Sequence, residues 1–497
     1  MARTFGAALR GVDGVPVEVE VRISAQLPRV DVVGLPEAAV RESAARVRAA
    51  IQSAGAPFPS RRVTVNLAPA ELRKSGAGLD LPIAVGILAA AGSLGDADLS
   101  GLGFLGELAL DGRLRDVRGA LALCLALRNS GCPRVVAPPG SAAEAALAPG
   151  VDVFVANDLQ AVIAFLGEAR PLALAEPPPC GPPDRAEPDL AHVRGQEHAK
   201  RALEVAAAGG HGILLRGSPG CGKTMLARRL PGLLPPLEPD EALDVARIRS
   251  AAGQDLDGAT LPSGRPFRAP HHTASPAGLL GGGQPPRPGE ITLAHRGVLF
   301  LDELPEFDRR ALEALRQVLE DRRIVVARAR ATTVFPAHFQ FAAAANPCPC
   351  GLLGVPGQDC RCDDNTVSRY AGRISGPLLD RIDLRVSLSP VPWEELDRRH
   401  EGVTSASIRD RVCAARRRQA ERGGGTIRTN AEIPDEALDA CVAPTPEARA
   451  LLGRAVDRFG LSARSARRVL RVARSIADLA DEPHTGPPAV AEALGLR

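Results

Sequence analysis

Apolar positions along the chain recur with two periods, and each change of period marks a new element. VPVEVEVRIS (15–24) alternates apolar and polar residues, the pattern of a half-buried strand, and RRVTVNLAP (61–69) gives a second candidate. PEAAVRESAARVRAAIQSAG (36–55) has helical periodicity and ends at a glycine. LPIAVGILAAAG (81–92) is apolar on almost every face, a buried helix, and ALALCLALRNSG (120–131) predicts another. FLGELALDGRLRDVRG (104–119) predicts a hairpin around Asp111-Gly112, because this pair supplies the positive φ that such turns require. Together these elements predict one α/β domain over residues 1–165.

The period then lapses. Residues 166–190, with PPPCGPPDRAEP, are dense in proline and predict an extended linker. From 191 to 395 short apolar runs alternate with helical patterns, so a second α/β domain is expected there. HGILLR (211–216) is a buried strand followed by one helix, TMLARRLPGLL (224–234). VLFL (298–301) is the pattern of a central parallel strand, FQFAAAAN (339–346) ends in Asn346, and GPLLDRIDLRV (376–386) places Arg381 just before another strand. Residues 396–497 predict a helical domain.

At 497 residues there is room for about three domains. Apolar residues make up 45%, enough for a sizeable core, and aromatics only 3%, so that core is built from Ala, Val and Leu. The net charge of +3 singles out no partner. MARTFGAALRGVDG lacks the apolar centre of a secretion signal, and no run of 18 apolar residues predicts a membrane span. A cytoplasmic protein is therefore expected, whose ten cysteines serve as thiols or metal ligands rather than disulfides.

The chemistry sits where the short strands end. GSPGCGKT, from Gly217 through Ser218, Pro219, Gly220, Cys221, Gly222 and Lys223 to Thr224, has the spacing and the strand–loop–helix setting of a phosphate-binding loop, with Met225 next in the helix. Its glycines let backbone N–H groups turn toward phosphate oxygens, Lys223 reaches the β- and γ-phosphates of ATP, and Thr224 ligates Mg²⁺. Asp302 and Glu303 follow VLFL, where Asp302 holds Mg²⁺ through water and Glu303 polarises the attacking water. Asn346 either orients that water or caps its strand. Arg381 either reaches a neighbouring subunit's γ-phosphate or pairs with Asp380 or Asp383. Cys348, Cys350, Cys360 and Cys362 can close a tetrahedral Zn²⁺ site with no open position, or serve as metal-free thiols. His271 and His272 are expected to be solvated or capping residues. Arg322, Arg323, Arg328 and Arg330 surround a hairpin that either tracks a nucleic-acid backbone or is a solvated basic ribbon. Near the end, Ser462 is a candidate N-cap for a helix with Arg464, Arg467, Arg471 and Arg474 on one face, and Arg464 is the candidate to enter the nucleotide site. Arg416, Arg417 and Arg418 add a second basic cluster.

VRGQEHAKRALEVAAAGGH, RPFRAPHHTASPAGLLGGG, PRPGEITLAHRGVLFLDELPEF, AAANPCPCG and SGPLLDRIDL, together with the phosphate loop, resemble the YifB/ComM-type magnesium-chelatase-like AAA+ ATPases of bacteria. GLPEAAVRES and VNLAPAELRKSGAGLDLPIA extend the resemblance to the start of the chain. It implies a Lon-protease-like (ribosomal S5 domain 2-like) α/β domain, a central AAA+ domain and a helical magnesium-chelatase-type lid domain. ComM-type members are hexameric helicases that promote branch migration during integration of transforming DNA, so DNA and further copies of the chain are the implied partners. The resemblance assigns Lys223 and Thr224 to Walker A, Asp302 and Glu303 to Walker B, and Asn346 to sensor 1. It likewise makes Arg381 the arginine finger and Arg464 sensor 2. The Ser–Lys pair of Lon-type proteolysis is missing: Gly78 stands in the serine's place, Leu121 and Leu123 lie where the lysine belongs, and Ser75 has no base beside it. The competing readings are a motor subunit of a metal chelatase, an ATP-dependent protease or unfoldase, and a regulatory nucleotide-binding scaffold.

Overall fold

The computed structural model describes the chain except residues 36–37, 72–73, 75, 77, 169, 177–187, 255, 257–259, 329–330, 356, 398–401 and 426. Ser75, Arg330 and much of the proline-rich stretch thus lie outside the described residues.

The N-terminal part is built on an eight-stranded mixed sheet. Its centre is the antiparallel pair Ala2–Arg10 and Asp13–Ser24, with Arg62–Ala68 beside the second strand. Alternation puts Val17, Val19 and Val21 on one face, where helices Ala38–Ser53 and Asp80–Ala90 cover them. The opposite face carries helix Ala120–Asn129. That helix crosses so close that a Cβ at Gly14 would lie 2.2 Å from the Ala122 carbonyl oxygen, which reserves the position for glycine. Leu121 and Leu123 are buried core residues of the helix and offer no base. Glu107–Leu108 and Leu114–Arg115 pair around Asp111-Gly112 as the pattern predicts.

The same helix docks this part onto the rest. Its core continues into Ala246 and Leu256, and helix Pro239–Ala252 packs against it. Arg247 pairs with Asp13, and Arg10 donates to the Thr332 carbonyl at 3.1 Å.

The central part is a five-stranded, wholly parallel sheet in the order Phe267–Arg268, Val298–Leu301, Gln340–Ala345, Ile213–Gly217, Leu384–Leu388. TMLARRLPGLL does not form the single helix that its pattern predicts. It breaks into Lys223–Ala227 and Leu230–Leu233, because Pro231 has no N–H to give and its ring excludes the carbonyl of Ala227. Arg323–Arg328 and Ala331–Pro336 form the expected hairpin, with Val325 and Val334 exposed at its middle.

The C-terminal helices Ser405–Arg422, Pro446–Phe459, Ala463–Leu479 and Pro487–Gly495 share one core with Ile213 and Leu215 of the sheet through helix Glu197–Gly209. Ser462 caps its helix by accepting from the Ser465 N–H. The basic face is narrower than its spacing suggests. Arg474 is 1% exposed and ties Asp478 to the carbonyls of Glu482 and Pro483, while Arg471 and Arg467 both reach Asp435. Arg416 and Arg418 likewise donate inward, to the carbonyls of Ala207 and Asp478. Among the described residues no helix is long and apolar enough to cross a membrane.

Candidate nucleotide-hydrolysis site

A parallel sheet gathers its loops at the C-terminal ends of the strands, and three such ends converge here. Ile213–Gly217 leads into the phosphate loop, where Gly220 (φ +79°) and Gly222 (φ +93°) take the left-handed conformation that turns N–H groups inward. Ser218 and Cys221 are buried, while Met225 is exposed on the helix that follows. Lys223 is buried inside the loop. Its ammonium donates to the carbonyls of Gly217 (2.8 Å) and Ser218 (2.8 Å) and to Asn346 Oδ1 (3.0 Å). The lysine is thus already beside Asn346, at the end of Gln340–Ala345.

Thr224 Oγ1 donates to Asp302 Oδ2 at 2.6 Å, and Asp302 Oδ1 accepts the Glu303 N–H at 2.9 Å. A hydroxyl and a carboxylate meeting beside a phosphate loop form a donor set that fits Mg²⁺. Glu303 sits at φ +52°, a strained conformation for a residue with a Cβ, and its exposed carboxylate extends outward.

His272 Nδ1 lies 3.0 Å from Glu303 Oε2, with the centre of the His271 ring 4.1 Å from that of His272 and tilted 34° to it. Sequence gives no reason to join them, since 31 residues separate His272 from Glu303; the contact adds to the expectation that these histidines are solvated or capping residues rather than metal ligands. Gln196 was also missed. At φ +58° it donates to the carbonyls of Ser389 (2.6 Å) and Cys221 (3.4 Å), tying the phosphate loop to the neighbouring strand end.

The two arginines lie elsewhere. Arg381 precedes Leu384–Leu388, whose register pairs Leu384 with Ile213 and Leu388 with Gly217. It therefore sits at the N-terminal ends of the strands, about five residues or ~17 Å along the sheet from the phosphate loop. There Arg381 and Arg464 both donate to Glu320 Oε1, the latter at 2.6 Å, rather than to Asp380 or Asp383. The hydrogen bond from Arg381, with the charge of both arginines, holds the Glu320 carboxyl below its usual range. Arg464 does not enter the phosphate loop of its own chain.

Beyond Asn346, the sulfurs of Cys348, Cys350, Cys360 and Cys362 all lie within 4.8 Å of one another, a group able to hold a metal ion.

Three family models match in chain order: subunit ChlI of Mg-chelatase over residues 19–141, magnesium chelatase subunit ChlI over 189–396, and its C-terminal model over 402–497. Competence protein ComM of Haemophilus influenzae is 42% identical over 100% of this chain and 97% of its own length. YifB of Escherichia coli K12 is 45% identical over 95% of this chain and 92% of its own. The magnesium-chelatase 67 kDa subunit of Chlorobaculum tepidum is 28% identical, over 40% of this chain and 26% of its own. With similarity running end to end through all three matched segments, the chain belongs to the YifB/ComM family of magnesium-chelatase-like AAA+ ATPases.

Proposed function

We propose that the chain is an ATP-driven DNA motor, a hexameric ring that promotes branch migration in recombination of incoming DNA. The observation that carries this reading is the split of the catalytic set. Lys223, Thr224, Asp302, Glu303 and Asn346 gather at one end of the sheet, and Arg381 and Arg464 at the other. A residue ~17 Å from its own phosphate loop serves catalysis only by entering a neighbour's site, so hydrolysis requires assembly. The competence name of a full-length relative supports DNA as the substrate. The full-length matches favour this reading over a chelatase motor, whose relative covers less than half the chain.

In the working site Lys223 exchanges the carbonyls of Gly217 and Ser218 for β- and γ-phosphate oxygens, and the loop N–H groups from Ser218 to Met225 hold the rest. Thr224 and Asp302 would hold Mg²⁺, which would neutralise phosphate charge. Glu303 takes the proton of the attacking water and Asn346 orients that water. Arg381 and Arg464 leave Glu320 to meet charge on the neighbouring subunit's γ-phosphate. Cys348, Cys350, Cys360 and Cys362 would hold Zn²⁺ as a structural ion. The division of labour follows 1–165, 191–395 and 396–497, and the N-terminal part is not a peptidase.

The test is an ATPase assay without DNA and with single-stranded DNA, duplex and a four-way junction, using Lys223→Ala as the inactive control. Stimulation by DNA and a rise in specific activity with protein concentration are expected. Activity indifferent to both defeats the proposal.

A further inference from the structure

Four thiols stand beside the phosphate loop without a part in the chemistry above. Their sulfurs are 3.3 Å apart for Cys348–Cys350 and 3.6 Å for Cys348–Cys360 and Cys350–Cys360, with Cys362 completing a group within 4.8 Å. Bonded sulfurs lie ~2.05 Å apart, so none of these is a disulfide. Four thiolates ~2.3 Å from one zinc occupy the corners of a tetrahedron with ~3.8 Å edges. The cluster matches that size. A polynuclear iron–sulfur cluster spreads its thiolates over several irons, and sulfurs this close leave space for one ion.

The cluster is joined to the catalytic machinery at three points. Cys348 follows Asn346 by two residues, and Asn346 Oδ1 accepts from Lys223 at 3.0 Å. The Pro347 carbonyl between them accepts from Arg216, the last residue but one of the strand that feeds the phosphate loop. The turn that separates the first two ligands closes with the Gly351 N–H on the Cys348 carbonyl at 3.0 Å. Gly351 there takes φ +79°, and a Cβ on it would lie 2.5 Å from Pro219 Cδ. Backbone of the cysteine turn therefore lies flush against Pro219 of the phosphate loop. The second pair is tied to the first by N–H···S bonds, from the Arg361 N–H to the Cys350 sulfur and from the Cys350 N–H to the Cys362 sulfur, and a shared ion would fix all four sulfurs at once.

We infer that one Zn²⁺ held by Cys348, Cys350, Cys360 and Cys362 braces the phosphate loop through Gly351 and Pro219 and sets Asn346, making nucleotide binding and turnover depend on metal occupancy. This rests on the zinc reading proposed above. The ion touches neither nucleotide nor water; it is a positioning element, and the cysteines are positioning residues. Rigid support matters because small displacements of aligned groups cost large factors in rate.

The experiment measures zinc per chain, affinity for a fluorescent non-hydrolysable ATP analogue, and ATPase rate. It uses the full-length parent, Cys360→Ser, Cys362→Ser, Gly351→Ala and Lys223→Ala, each checked for folding by circular dichroism. The parent is expected to carry one zinc, and the cysteine variants to lose it together with about tenfold or more in analogue affinity or turnover. Gly351→Ala keeps its zinc yet loses affinity, because its new methyl displaces Pro219; this variant separates the brace from the metal. Lys223→Ala keeps its zinc without turnover. In the Co²⁺-substituted parent, the visible bands of a tetrahedral thiolate site shift when the analogue binds. A parent without zinc after expression in zinc-supplemented medium overturns the site itself. Zinc that is bound and then lost on mutation, with analogue affinity and turnover unchanged, overturns the brace and leaves the zinc reading standing. If the cysteine variants unfold, Gly351→Ala and the cobalt spectrum decide: unchanged affinity with unshifted bands refutes the coupling.

Discussion

Replacing Thr224 by alanine removes a single oxygen from the proposed cation position and leaves its surroundings in place. Thr224 Oγ1 lies 2.6 Å from Asp302 Oδ2, within the ~2.5–2.7 Å range of a hydroxyl donating to a charged carboxylate. Hydrogen bonds to charged groups contribute about 1.5–3 kcal/mol. The same hydroxyl becomes a metal ligand when Mg·ATP is bound, so its loss removes an interaction of comparable strength. At 1.4 kcal/mol per tenfold, the Mg²⁺ concentration for half-maximal ATPase activity rises about 10–100-fold. Asp302 keeps the Glu303 N–H at 2.9 Å, and the loop keeps Lys223 on its carbonyls, so the fold is not at risk. The assay is the initial rate of phosphate release at saturating ATP across a range of free Mg²⁺, for Thr224→Ala and Thr224→Ser. Serine retains the oxygen and stays near the parent. A half-saturation in Thr224→Ala equal to the parent's, or a serine variant displaced as far as alanine, refutes the assignment of this oxygen.

Arg381→Ala and Lys223→Ala are each expected to be inactive alone, and an equimolar mixture to regain about a quarter of the parent's sites, where an intact loop meets an intact arginine; a mixture that stays silent sinks the shared site. Gly14→Ala drives a methyl into the Ala122 carbonyl, 2.2 Å away, and costs about 1–3 kcal/mol, read as a lower melting temperature. Burial would raise the Glu432 carboxyl from 4.5, but the His338 hydrogen bond and the Arg322 charge bring it down to about 2. Its folded value is the lower one, so its contribution of about 3 kcal/mol is present above pH 4.5 and fades as the pH falls toward 2. In Glu432→Gln the urea midpoint accordingly falls less steeply with acidification over that window than in the parent, and identical slopes contradict the pairing.

Much of the phosphate site is local in sequence. Gly217 to Thr224 are contiguous, and Asp302 and Asn346 each close an apolar run, so strand period and loop spacing identify them without knowledge of the fold. The paired strands at 323–336 and the cap at Ser462 are equally local, since turn and capping chemistry act within a few residues. The break at Pro231 was open to the same reasoning, because a proline has no N–H wherever it falls; the apolar period masked it.

What only the tertiary structure decided is pairing across distance. Periodicity says that a residue is buried or faces a neighbour, never which neighbour. Arg474 keeps helical step with Arg467 and Arg471, yet packing buries it while those two reach Asp435, 32 and 36 residues away. Glu320 as the joint acceptor of Arg381 and Arg464, His272 against Glu303, and Gly351 pressed on Pro219 join segments 31 to 144 residues apart. Such contacts form because the sheet brings strand ends and loops together, and no run of residues short enough to carry a pattern contains both partners.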